Sequence, residues 1–174
     1  MRKIKTINDI RFKDFKKVQD IMLNFENATT EQIVEAFKTI YHVDDITDYK
    51  WEEISAKMSI VFILLGSQME LITKFESDGV KYGFVPKFDE ITTGELIDLD
   101  SLLAEQNFEA IASILYRPIV SESKDGKYTI APYKGYDATL FENAPINFYL
   151  GFINFFSKSY QILKNRFHIS TDNK

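Results

Sequence analysis

The chain has 174 residues, a formal net charge of −5 and no cysteine. A single domain is expected, because one globular domain commonly holds about 100–150 residues. The lack of cysteine excludes disulfides, thiolate zinc sites and cysteine nucleophiles from the printed sequence. The negative total argues against nucleic acid as the partner of the whole molecule.

The N-terminal stretch is basic despite that total. Between Arg2 and Lys17, seven Lys and Arg residues stand against Asp9 and Asp14. We expect a basic arm over about residues 1–17: a solvated face, or a segment that docks on an acidic neighbour or faces DNA, with the net charge favouring the neighbour. No signal peptide is visible after it, and the longest apolar run, IVFILLG, is far shorter than the ~20 residues of a membrane span.

Three helices are predicted next, each from apolar side chains spaced three and four residues apart. The first covers residues 12–25, and the second runs from a capping Thr29 or Thr30 to Tyr41. The third covers residues 51–72 and is apolar around most of its circumference. Such a helix is buried by neighbouring elements or by another chain.

Two Asp-Gly turns predict β-hairpins, one within residues 75–86 and one within residues 118–131. A helix over NFEAIASILYRPIV precedes the second hairpin. It should end near Arg117, because Pro118 disfavours the helical conformation in the residue before it.

The stretch EITTGELIDLDSLL, residues 90–103, holds four carboxylates and invites comparison with an active site. Thr92 and Glu95 instead fit a capping box, in which the hydroxyl accepts a backbone N–H and the carboxylate reaches back to the cap. Asp98 and Asp100 then lie on other sides of a helix whose dipole favours early acids. Catalysis would need a second polar group to set one acid against another. The nearby sequence supplies none, so capping is the predicted role.

The last predicted helix runs from Pro145 to Phe167 and has two apolar flanks. One stripe suffices for the core of an isolated domain. We therefore expect the second flank, with two tyrosines of the preceding loop, to contact another protein chain. The predicted partner-contact residues are Phe148, Phe152, Phe155, Tyr133 and Tyr136. A frayed tail is expected over about residues 168–174.

Signs of cofactor or metal chemistry are missing from the sequence. His42 and His168 have no obvious ligand partners nearby, and no glycine pattern matches a phosphate-binding or dinucleotide-binding loop. We expect no catalytic residue, no metal site and no cofactor. The predicted fold is mainly α, a single domain over residues 1–174 with about five to six helices and two short β-hairpin excursions.

Three stretches together resemble a known group: VKYGFVPKFDEITTGELIDLDSLL, AIASILYRPIV and YTIAPYKGYDATLFENAPINFYLGFINFF. They are similar to small proteins encoded among the head and tail genes of tailed bacteriophages, including crAss-like phages of gut Bacteroidota. The similarity covers roughly residues 80–156. It implies a role in the virion or in its assembly, and it implies no catalytic residue.

Two hypotheses follow from this resemblance. In the first, the chain is a non-enzymatic structural component of the virion, in a head-to-tail ring whose copies contact each other and portal, tail or ring proteins. In the second, it is a cytoplasmic tail-assembly chaperone that is absent from the mature virion. Fifteen Phe and nine Tyr suit both, because aromatic residues are enriched in interfaces as well as in cores. An enzyme of phage metabolism is the least supported alternative.

Overall fold

The computed structural model describes residues 1–87 and 91–167, with side chains described as far as Ser159. Those residues form six α-helices and a four-stranded antiparallel sheet, with 51% of the chain helical and 13% in strands. The predicted number of helices is confirmed. Both predicted hairpins form, but they join into one sheet, so the fold is mixed α and β and the prediction of a mainly α fold is wrong.

The helices are α1 Phe12–Leu23, α2 Thr30–Tyr41, α3 Trp51–Leu65, α4 Thr93–Ala104, α5 Phe108–Leu115 and α6 Ile146–Phe167. The strands are β1 Lys74–Ser77, β2 Val80–Phe84, β3 Tyr116–Glu122 and β4 Tyr128–Ile130. Glu90, His168 and the tail predicted over residues 168–174 lie outside the described residues.

The sheet has the order β1-β2-β3-β4, and its two hairpins meet where β2 pairs with β3. Gly83 lies opposite Arg117 in that central pairing. In the first hairpin, Asp78 and Gly79 have φ angles of 49° and 76°, as two-residue turns between twisted strands require. The turn signals in the sequence predicted each hairpin separately, but α4 and α5 separate β2 from β3 along the chain. No local sequence signal therefore predicts that β2 pairs with β3 and joins the two hairpins.

An N-terminal cluster of apolar side chains packs α1, α2 and α3 together. Ile10 and Met58 are fully buried in it. The backbone N–H of Phe12 donates to the Ala144 carbonyl at 2.9 Å, which binds the start of the chain to the loop before α6. The second half of the predicted basic arm, residues 1–17, is thus packed into the body of the protein and does not project from it.

A C-terminal cluster fills the space between the inner face of the sheet, α4, α5 and α6. Tyr116, Phe148 and Phe152 are each no more than 1% exposed, and the rings of the first two meet edge to face at 5.7 Å. Such ring pairs add to the stabilisation from apolar burial. Tyr149 packs against both clusters, with its ring centroid 4.3 Å from that of Phe12. Helix α6 therefore connects the two halves of the molecule.

The segment between α3 and β1 crosses α6 at Gly151. A Cβ atom on Gly151 would lie 2.2 Å from the backbone oxygen of Glu70, so no side chain fits there. Beside this crossing, Asn154 Nδ2 donates to the Met69 carbonyl at 2.9 Å. The third helix ends well before its predicted end at Ile72, because the residues after α3 make this crossing instead.

Candidate functional site

The structure divides the five predicted partner-contact residues. Phe148 and Phe152 are 1% and 0% exposed in the C-terminal cluster, so the prediction that they contact another chain is wrong. Phe155 and Tyr133 are partly buried against the same cluster, and Tyr136 is exposed. The second flank of α6 belongs to the core because the joined sheet covers it.

The structure forms the capping box at the start of α4. Thr92 Oγ1 accepts a hydrogen bond from the Glu95 backbone N–H at 3.3 Å. In return, Glu95 Oε2 accepts from the Thr92 backbone N–H at 2.7 Å and from its hydroxyl at 2.6 Å. This arrangement satisfies backbone donors that a helix start leaves free.

Two further side chains join these acids, and the sequence gives no signal for either. Arg117 Nη1 lies 2.8 Å from Glu95 Oε1, and the Glu95 side chain is only 2% exposed. Glu95 Oε1 nevertheless has no hydrogen-bond partner of acceptable angle among the described residues, so the contact is an ion pair. The Tyr133 hydroxyl donates to Asp98 Oδ2. Burial, followed by this hydrogen bond, raises the pKa of Tyr133 well above its usual value.

This polar cluster, defined as Thr92, Glu95, Asp98, Arg117 and Tyr133, holds elements together. It connects the start of α4 to β3 and to the loop that follows β4. A general acid or base must reach a proton on a substrate. Glu95 is closed to solvent and is already engaged by the cap and by Arg117. The geometry therefore gives Glu95 and Asp98 structural contacts, whereas Asp100 is exposed on the surface of α4.

An apolar face of α3 is open to solvent. Ile60 and Ile63 are 50% and 68% exposed, whereas the opposite side of the helix is buried in the N-terminal cluster. The exposed residues follow the i, i+3, i+4, i+7 spacing of one helix face. We call this surface the α3 face; it consists of Ala56, Ser59, Ile60 and Ile63.

The α3 face has little polar character. No charged residue occurs from Met58 to Met69. The Ser59 hydroxyl donates to the Ser55 carbonyl at 2.9 Å, so the helix itself satisfies it. Single exposed apolar residues are ordinary, whereas large apolar patches mark contacts with other molecules, so the α3 face is a candidate contact surface.

A second exposed apolar pair lies on α4. Leu96 and Ile97 are 54% and 63% exposed. Helix α4 packs in the C-terminal cluster, whereas α3 packs in the N-terminal one. The molecule thus presents apolar surface on both of its halves.

The described residues, 1–87 and 91–167, contain no group of three or more acidic or histidine side chains placed to hold a metal ion. Within the same ranges, no helix combines the length and apolar character needed to cross a membrane.

His42, which seemed isolated in the sequence, has its Nε2 atom 2.9 Å from Asp14 Oδ2.

Comparisons of the chain with protein-family models, with curated proteins and with solved structures found no match. The candidate function therefore rests on the exposed surfaces and on the resemblance to phage proteins.

Proposed function

We propose that this chain is a non-enzymatic structural component of a tailed-phage virion, located in a head-to-tail ring and acting through contacts with other protein chains. Two observations support the proposal: the resemblance over roughly residues 80–156 and the exposed α3 face. The α3 face is the observation that carries it, since Ile63 is 68% exposed within an uncharged stretch of helix. Exposed apolar surface becomes favourable for association when a partner covers it.

A ring needs two different surfaces on each copy, because the contact between neighbours is heterologous. The α3 face is one candidate surface. Leu96 and Ile97 of α4, which packs in the other cluster, are the other. If the α3 face of each copy contacts α4 of the next, an open chain of copies has a free α3 face at one end and a free α4 surface at the other. Ring closure joins these two free surfaces.

Light scattering on the purified protein tests this arrangement, alone and with candidate portal and tail proteins. An Ile60→Asp, Ile63→Asp variant should keep its helical spectrum, because both side chains are exposed, and should lose association. A Leu96→Asp, Ile97→Asp variant should behave in the same way. An equimolar mixture of the two variants should form dimers, because one intact contact remains between unlike copies.

The matched control places the same charges elsewhere. Leu23 and Val120 are 73% and 62% exposed and lie outside both surfaces. A Leu23→Asp, Val120→Asp variant should associate like the wild type. A wild-type protein that stays monomeric at high concentration and binds none of the candidate proteins would overturn the ring proposal.

Peptide mass spectrometry of purified virions separates the structural role from the chaperone role. A virion component should be detected in constant ratio to the portal protein. Abundant protein in infected cells with none in the particle would identify a tail-assembly chaperone instead.

A further inference from the structure

A basic cleft of about 430 Å³ lies between α1 and α2, and its lining shares no residue with the α3 face. We call it the α1–α2 cleft. Its carboxylates are Asp14 and Asp44. Its Lys and Arg side chains, the rim cations, are Arg11, Lys13, Lys17 and Lys38.

The carboxylate of Asp14 is already neutralised within the protein. Asp14 is 4% exposed, and its Oδ2 atom lies 3.0 Å from Arg2 Nη1 and 2.9 Å from His42 Nε2. A buried carboxylate that is paired in this way does little to offset cations that face solvent. Two exposed carboxylates therefore remain to oppose the four rim cations: Asp44 in the lining, and the neighbouring Asp45, which interacts with Lys38.

The rim cations have no ion-pair partner among the residues that the structure describes. Lys16, on the same helix but outside the cleft, is by contrast paired with Glu109 at 3.0 Å. Lys13 and Lys17 are four residues apart on α1, where like charges destabilise a helix. An anion in the cleft would relieve this repulsion.

We propose that the α1–α2 cleft binds a carboxylate-rich segment of a partner protein. Charge complementarity selects an anionic partner, since four unpaired cations gather here in a chain whose net charge is −5. That negative total repels a long polyphosphate from the rest of the surface, which favours a short acidic peptide over nucleic acid. The proposal rests on the charge and shape of the cleft and does not depend on a virion role.

Fluorescence anisotropy with a labelled hexaglutamate peptide tests the proposal, with a labelled hexathymidylate oligonucleotide measured in parallel. The wild type should bind the peptide, and added salt should weaken that binding by screening. A Lys13→Gln, Lys17→Gln variant should raise the dissociation constant about tenfold, the size expected for two lost surface charge contacts. If the double variant loses its helical spectrum, Lys38→Gln on α2 serves as the second test, and it too should weaken peptide binding.

The matched control removes two exposed positive charges from outside the cleft, at Lys124 and Lys134. The Lys124→Gln, Lys134→Gln variant should keep the dissociation constant within about twofold, because distant surface charges are screened. If this control weakened peptide binding as much as the cleft variant does, net charge alone would explain the binding, and the proposal would be overturned. Failure of the wild type to bind the peptide would overturn it as well. Tighter binding of the oligonucleotide, lost in the cleft variant, would assign the cleft to phosphate instead of carboxylate.

Discussion

Glu95 Oε1 lies 2.8 Å from Arg117 Nη1. This ion pair connects the first turn of α4 to β3, although the rest of α4 and all of α5 separate the two residues along the chain. The other oxygen of the same carboxylate completes the cap at Thr92. One side chain therefore closes a local helix end and a long-range contact between helix and sheet. Because the Glu95 side chain is 2% exposed, these two partners replace the contacts with water that its carboxylate loses on burial.

Removing Arg117 should destabilise the fold strongly. An Arg117→Met variant keeps much of the side-chain volume but leaves the Glu95 carboxylate buried without a cation. We expect a loss of about 2–4 kcal/mol in the free energy of unfolding, as for other broken buried ion pairs. Urea denaturation measures it. The double variant Glu95→Gln, Arg117→Met should lose less stability than the sum of the losses in the two single variants. A loss equal to that sum would show that the two residues do not interact.

Thr92→Ala should lower the free energy of unfolding by about 1 kcal/mol, because it removes the acceptor for the Glu95 N–H and the hydroxyl donor to its carboxylate. The adjacent, exposed Thr93 is the control. Thr93→Ala should change stability by less than about 0.5 kcal/mol. Equal effects of the two substitutions in urea denaturation would contradict the capping role.

Gly151→Ala should destabilise the protein although alanine favours helices. The new Cβ would lie 2.2 Å from the Glu70 backbone oxygen, which cannot rotate away. We expect a loss of about 1–3 kcal/mol, as for other overpacked sites. Gly94 is the matched control in α4, since nothing lies within 4 Å of a Cβ there. Gly94→Ala should leave stability unchanged or raise it by up to about 1 kcal/mol. Thermal or urea unfolding that gives both variants the same shift would rule out this clash.

Stability should fall in alkaline solution because folding raises the pKa values of several tyrosines, three of them strongly. Burial is the main cause that raises the pKa values of Tyr116, Tyr133 and Tyr149 in the folded state. The unfolded chain releases these protons near pH 10, before the folded protein does, so the free energy of unfolding decreases from about pH 10 upward. Below about pH 10, these tyrosines are protonated in both states, so their full contribution to the free energy of unfolding is present.

Urea denaturation between pH 8 and pH 11 measures this decrease. Tyr149→Phe should make the curve less steep, since one shifted group is lost. Tyr136→Phe, at a residue that is 49% exposed, is the control and should leave the slope unchanged. Equal slopes for the wild type and Tyr149→Phe would refute the contribution of Tyr149.

The sequence by itself determined the features that depend on neighbours a few residues away. The capping boxes at Thr29 and Thr92 form, and the Asp-Gly turns lie in the two hairpins. These features are readable because each hydroxyl, carboxylate or positive φ angle acts on backbone within about four residues. Apolar spacing likewise located the helices, since it reports which face a helix buries.

Only the tertiary structure decided which surfaces are buried and which are open. The pairing of β2 with β3 encloses Phe148 and Phe152, whereas the sequence predicted those two rings as contacts for another chain. The same pairing places Arg117 in β3, from which it reaches Glu95, and the α1–α2 cleft joins cations from two helices. Contacts of this kind depend on closing long loops, and their free energy comes from packing between distant segments, which periodicity and turn residues do not record.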